Sequence, residues 1–489
     1  MIIVLLILQS TCLFIKISFQ VAMPDNLTSA PRLAKGIGLV AAVALMVTNA
    51  IGTGVFLKAR VMICNVGTPE MVLLVYVLAG LFTLIGALVF AELSTMMPRS
   101  GGLYNYIGAA YGRVWAFLYG WMETLVDGGA GIAALAIVFV IFFNDLLGGT
   151  LSSGVSTLLA VLTLVVVTAL NLASVRSNGS LVTVVTVLKV ALLIGIAASA
   201  FFFGDGSWAN YASSSAGGSC EGVPESARLG VSGFGAAMIA ALWSYSGAAV
   251  IIMVAEEVRN PARTLPRSLA CSVLTLIGLY VLINAAYFYA LSPEAIASIP
   301  ESGSVASAVV ARVIGASATT LMAAGLMLST FGSLHSSMLT MPRVPYAMAR
   351  DKLFPSIFAK VSRKSRAPVY AVLLLGGCAI AFTLSGTFDI LTDMVVFSFL
   401  LFDMLAISAI FVLRKRIPAK PGSYRVWGYP FLPVVYLLVG VFLTLNTLWA
   451  LPGRSLAGLG LIALGLPVYM YYARGRPPSQ MKDWLDNDR

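Results

Sequence analysis

The chain has 489 residues, 59% of them hydrophobic and only 10% charged, with a formal net charge of +11. Soluble domains carry about 25% charged residues, so this composition excludes a soluble globular protein and describes an integral membrane one. A basic excess of this size would suit a nucleic-acid binder, but here the cations sit in loops between apolar runs and no nucleic-acid partner is expected.

Met1 to Ala22 is apolar but interrupted by Gln9, Lys16 and Gln20, and it lacks the basic start and small-residue cleavage site of a secretory signal. It reads as a mis-assigned start or an extra segment, within an N-terminal cytoplasmic segment 1–34. The Asn26-Leu27-Thr28 sequon then faces the cytoplasm and is a chance match. From residue 36 onward come twelve apolar runs long enough to cross a bilayer. They fall at about 36–62, 71–97, 114–143, 152–173, 179–203, 232–258, 268–291, 305–342, 369–387, 391–413, 429–450 and 455–473.

The first run contains Ile51-Gly52-Thr53-Gly54, two glycines separated by one residue, at a depth where lipid offers nothing to freed backbone groups. Non-helical backbone is tolerated there only when protein covers it or a polar cavity meets it. Glycine removes the Cβ penalty for unwinding, and freed N–H groups can receive an anion such as a carboxylate. Close helix packing through small residues is the alternative, although that usually wants glycines four apart.

Assigning alternate loops to the two sides places 24 of the 31 Lys and Arg residues on one face. The positive-inside rule makes that face cytoplasmic, with both termini inside the plasma (inner) membrane. The basic runs 343–366 and 414–425 fit this bias together with contact to anionic lipid. Cys12, Cys64, Cys220, Cys271 and Cys378 are scattered, with no spacing that suggests a metal site or disulfide framework. Cys220, in the long outer loop, is expected to be a free thiol, and no metal or cofactor is expected.

Runs one to five and six to ten form two comparable blocks. Five is odd, so the second block enters the membrane inverted, an arrangement known from transporters whose first helix in each repeat is broken. The sixth run carries Leu242-Trp243-Ser244-Tyr245-Ser246-Gly247 in mid-span, where serines and a glycine match the interruption in the first. The expected organisation is all-α, with twelve transmembrane helices in a 5+5 inverted repeat, helices 1 and 6 broken, and two extra C-terminal helices. Its parts are repeat 1 at 35–203, an outer loop at 204–230, repeat 2 at 231–413, helices 11 and 12 at 414–473, and a cytoplasmic tail at 474–489.

The Ile51 to Phe56 break, the segment Ala91 to Tyr104, the stretch Trp243 to Gly247 running into Ala255-Glu256-Glu257-Val258-Arg259-Asn260-Pro261, and Ala347-Met348-Ala349-Arg350-Asp351 resemble the amino acid-polyamine-organocation superfamily, L-type branch or its bacterial relatives. The resemblance covers about 34–473. It implies that N–H groups around Thr53 and Gly54 receive the α-carboxylate of an amino acid, and that carbonyls around Trp243, Ser244 and Ser246 receive its α-ammonium. Trp243 takes the place of the family's aromatic gate. Ile51, Gly52, Tyr245 and Gly247 complete the expected seat.

Lys189 lies ten residues into the fifth run, about 15 Å along a helix, where a charge costs at least roughly 2.5–3.5 kcal/mol. By the resemblance, a lysine here replaces the sodium ion that bridges spans one and eight in sodium-coupled members; snorkelling to an interface is the alternative. Glu123 and Asp127, four apart on span three, share a helix face and would repel if both were ionised. Glu123 fits the family's Trp121-Met122-Glu123. Asp127 departs from it, and reads a cationic or hydroxylated side chain, carries a proton, or bonds a neighbouring helix. Asp403 is a second unassigned buried acid, and the lone His335 reads as a buried structural side chain.

The function expected is secondary transport of amino acids, neutral ones favoured, by alternating access and without sodium, through exchange or with a proton. A cationic amino acid or polyamine carrier on the same scaffold is the alternative, and a channel or intramembrane enzyme comes after both. Animal members of the branch pair with a heavy chain through a cysteine in the loop after span three. Residues 144–151 contain none, so a disulfide-linked heavy chain is not expected.

Overall fold

The computed structural model describes residues 36–172, 175–300, 303–315, 317–362, 367–384, 388–418, 423–450 and 452–473. Residues 1–35, with Cys12 and the sequon, and the tail from 474 lie outside the described residues. What is described is helical, because a segment in lipid must satisfy its own backbone groups. Among the described residues the only β pairing is a single bridge between Ile37 and Val258.

In chain order the helices are α1 (Leu39–Ala50), α2 (Gly54–Val66), α3 (Pro69–Met96), α4 (Leu103–Tyr111) and α5 (Arg113–Leu146, with a π-helical stretch Glu123–Gly131). Next come α6 (Ser153–Asn171), α7 (Val175–Phe203) and α8 (Gly230–Tyr245), the last continuing into a 3₁₀ segment Val250–Glu257. The rest are α9 (Pro261–Ala290), α10 (Val305–Ile314), α11 (Ser317–Thr340), α12 (Arg343–Arg350), α13 (Val369–Thr383), α14 (Phe388–Arg416), α15 (Phe431–Ala450), α16 (Pro452–Ala463) and α17 (Gly465–Ala473). Among the described residues nine helices are long and apolar enough to cross a membrane, and the bent pair α1 and α2 makes ten.

Two of the expected runs differ. The run at 305–342 divides into α10 and α11, because α10 ends at Gly315 in a positive-φ conformation (φ +98) that a Cβ would disfavour. The run at 369–387 forms α13, of only 15 residues. α11 is long but carries Ser329, Thr330, Ser333, Ser336, Ser337 and Thr340, all buried. Its polar face points into the protein, which lowers its hydropathy for a positional reason.

α1, α3 and α9 pack together, α8 lies against α2 and α3, and α11 lies against α5. The Ala91 to Tyr104 segment serves this packing: Glu92, fully buried, accepts two bonds from the Arg414 guanidinium (2.7 and 2.6 Å) and one from the Val426 N–H (2.7 Å). Its negative charge is thus matched where the ends of α3 and α14 meet.

Cys220 is not a free thiol. It is disulfide-bonded to Cys64 at the end of α2, 156 residues away. The loop folds back over α2, with the Leu229 N–H donating to the Asn65 carbonyl (2.7 Å) and Arg60 to the Glu221 carbonyl (2.6 Å). Spacing cannot reveal a pairing that only this fold-back brings about.

Candidate substrate site

α1 stops at Ala50, the chain runs unwound through Ile51, Gly52 and Thr53, and α2 resumes at Gly54 with its axis turned by 47°. Ending a helix leaves its last carbonyls and the next helix's first N–H groups without partners. The carbonyls at this break are met by side chains. Lys189 donates to the carbonyls of Thr48 (2.6 Å) and Ile51 (2.6 Å) and to the Ser333 hydroxyl (2.7 Å), so all three of its protons are used. The Ser333 hydroxyl lies within 2.9 and 3.1 Å of the same two carbonyls, and Ser329 donates to that of Ile51 (3.3 Å). A cation at the C-terminal end of α1 also suits the negative end of its dipole. The N–H groups of Thr53 and Gly54, by contrast, donate to nothing among the described residues.

α8 stops at Tyr245, and Gly247 turns the chain at φ +86. A Cβ at Gly247 would fall on the Asn49 side-chain oxygen, and one at Gly54 would lie 2.8 Å from the Ser244 Cα. Both glycines are therefore required by close approach of the two broken helices. Two bonds cross between the breaks: Trp243 Nε1 donates to Thr53 Oγ1 (3.1 Å), and the Tyr280 hydroxyl reaches the carbonyls of Ser244 (2.7 Å) and Ala50 (3.0 Å). With one proton, Tyr280 serves one of those carbonyls at a time. The Ser246 carbonyl receives no bond among the described residues.

Between the breaks lies a cavity of about 170 Å³. Of the residues expected in the seat, Gly52, Thr53, Gly54, Trp243, Tyr245, Ser246, Gly247 and Asp127 line it. Ile51 and Ser244 do not; their carbonyls face Lys189 and Tyr280 behind it. Lys189 likewise stands behind the wall, 1% exposed. Asn49, Tyr119, Ser337, Asp403 and Tyr436 also line the cavity and were not assigned to it from the sequence. Asn49 donates to the hydroxyls of Ser336 (3.3 Å) and Ser337 (3.2 Å), tying α1 to α11. The cluster of Ser and Thr on α11 was the one signal that could have pointed there.

The far ends of the two broken spans are fastened too. The N–H groups of Gly36 and Ile37 donate to the Glu257 carbonyl (3.0 and 3.1 Å), coupling the start of α1 to the 3₁₀ segment. The Glu257 carboxylate pairs with Arg343 of α12 at 3.0 Å, both side chains being buried. His335 is buried, with Nδ1 3.1 Å from the Asn171 amide.

A membrane-embedded cavity walled by two interrupted helices, with peptide donors and an acceptor left unpaired at its surface, defines a transporter. The profile of the amino acid permease family matches residues 37–460, and the chain belongs to that family. It is similar to the serine/threonine exchanger SteT of Bacillus subtilis, 30% identical over 443 residues that cover 89% of this chain and 96% of the relative. It is similar as well to the human large neutral amino acids transporter small subunit 2, 30% identical over 443 residues covering 89% and 80%, and to the mouse b(0,+)-type amino acid transporter 1, 26% identical over 422 residues covering 84% and 82%. The family is one of transporters, not of enzymes.

Proposed function

We propose that this protein carries amino acids, neutral ones favoured, across the plasma membrane by alternating access around its two broken helices, independently of sodium. The observation that carries the reading is Lys189. Its side-chain nitrogen joins two carbonyls of the first span to a hydroxyl of α11, filling the oxygen-lined position between spans one and eight. The unpaired N–H groups of Thr53 and Gly54 and the unpaired carbonyl of Ser246 then offer donors and an acceptor to a zwitterion. An engineered cavity of about 150 Å³ admits benzene, so the space here suits an amino acid with a small side chain. The name of the serine/threonine exchanger points the same way, and that of the large-neutral relative supports a neutral substrate without restricting its size.

The finer architecture follows from this reading: α11, with 24 residues, and α13 add to the ten apolar spans to give twelve, in two inverted blocks of five and a C-terminal pair. Disulfides persist in oxidising compartments, and Cys64–Cys220 supports an outer position for the 204–230 loop and cytoplasmic termini. The absence of cysteine from 144–151 supports function without a disulfide-linked heavy chain. A second reading, carriage of cationic amino acids or polyamines, is favoured by Asp127 in the cavity wall.

In proteoliposomes, labelled L-serine or L-leucine is expected to exchange against the internal amino acid equally well in sodium and in choline chloride. Competition by the twenty amino acids and common polyamines ranks the substrates. Collapse of uptake in choline would overturn the sodium-independent reading, and competition by L-arginine or putrescine alone would replace the neutral reading with the cationic one.

A further inference from the structure

The cavity wall opposite the broken helices holds an arrangement that the carriage of a zwitterion does not use. The π-helical stretch Glu123–Gly131 interrupts α5, a feature frequent at functional sites. Its glycines allow close approach: a Cβ at Gly128 would meet Leu375 at 3.0 Å, one at Gly129 would meet Phe382 at 2.8 Å, and one at Gly131 would meet the Asp127 carboxyl at 2.7 Å. Asp127 is thereby set in the cavity wall together with Asp403 of α14, and each carboxyl lies in the other's field. One turn earlier, Glu123 is fully buried beside the Tyr119 hydroxyl.

The titratable groups facing these acids are the hydroxyl of Tyr119 on α5, the hydroxyl of Tyr436 on α15, beside Asp403, and, on α13 behind Gly129, the Cys378 side chain. Among the described residues no lysine, arginine or histidine is one of them, and Lys189 is committed to α1 and Ser333. An ionised carboxylate so placed is strongly disfavoured unless a cation answers it, and adjacent ionised acids are disfavoured further. A substrate ammonium in the cavity could answer Asp127 or Asp403, but it could not touch Glu123, which does not line the cavity. Protons can serve all three.

We propose that Asp127 and Asp403, backed by Glu123, form a proton-binding site in the wall of the substrate cavity, and that amino acid movement is coupled to a proton carried there. This rests on the carrier reading above. A carboxylate takes a proton from water on the side to which the cavity opens, travels as the neutral acid while the cavity is closed, and returns the proton to water on the other side. No other bond is made or broken.

The test uses full-length protein in proteoliposomes containing trapped pyranine, with labelled L-serine, L-leucine and L-arginine as probes. Counterflow at equal pH is compared with uptake under an inside-alkaline gradient, and the ratio of the two is taken within each protein. For wild type the gradient is expected to raise the initial rate of L-serine or L-leucine uptake severalfold, with acidification of the lumen. In Asp127→Asn, Asp403→Asn and Glu123→Gln the ratio is expected to fall toward one, whatever the absolute rate. Wild-type counterflow with no response to the gradient and no pyranine signal overturns the proposal, and so does a gradient response that survives in all three variants. Variants that lose only L-arginine uptake also overturn it and make the wall a reader of cationic side chains. Absence of counterflow for every probe in wild type would instead retract the carrier reading itself.

Discussion

Replacing Lys189 with methionine tests whether its ammonium organises the first break. The substitution keeps most of the side-chain volume and removes the bonds to Thr48, Ile51 and Ser333. The two carbonyls are not orphaned, because Ser333 can turn to Thr48 (2.9 Å) and Ser329 to Ile51 (3.3 Å). What is lost is the difference between charge-assisted and neutral hydrogen bonds, about 1–1.5 kcal/mol for each of two. The sum, about 2–3 kcal/mol, corresponds to a factor of roughly 30 to 150. Removing a buried charge also removes its desolvation cost, so the melting temperature should change little while the hold on Ile51 weakens. The expected result is an apparent affinity lower by at least about tenfold, read from competition in proteoliposomes, with near-normal thermal stability in detergent. Unchanged affinity would refute the argument. A collapse in stability with normal affinity in the surviving fraction would show that Lys189 only holds the fold.

Gly54→Leu places side-chain atoms against the Ser244 backbone, where a Cβ already comes within 2.8 Å, so overpacking costs of about 1–3 kcal/mol fall directly on the seat. Amino acid binding should be lost while the protein still inserts, as checked by membrane fractionation and uptake. Arg343→Ala leaves Glu257 buried without its partner, at a cost of about 3–5 kcal/mol; a lowered melting temperature is expected, with recovery when Glu257→Leu is combined with Arg343→Met. Reduction of Cys64–Cys220 opens a 156-residue separation whose chain-entropy contribution is at most about 5 kcal/mol. Maleimide should label Cys64 and Cys220 only after reduction, as read by mass spectrometry.

Much of this protein is determined locally. Apolar runs interrupted by Gly52, Gly54, Ser246 and Gly247 specify helices that must break in lipid, because unwinding there is tolerated only where small residues permit it and a cavity receives it. A lysine at mid-span likewise announces a partner, since lipid supplies none. Which partner it meets is not local: Thr48, Ile51 and Ser333 reach Lys189 from helices more than a hundred residues away. The same holds for Tyr280 between the two breaks, for Asp403 facing Asp127, and for Cys220 joining Cys64. Helical periodicity states which residues share a face, but the rotation and depth at which two helices pack is set by shape across the whole bundle. That packing alone decided which polar groups became the wall of a cavity and which became its support.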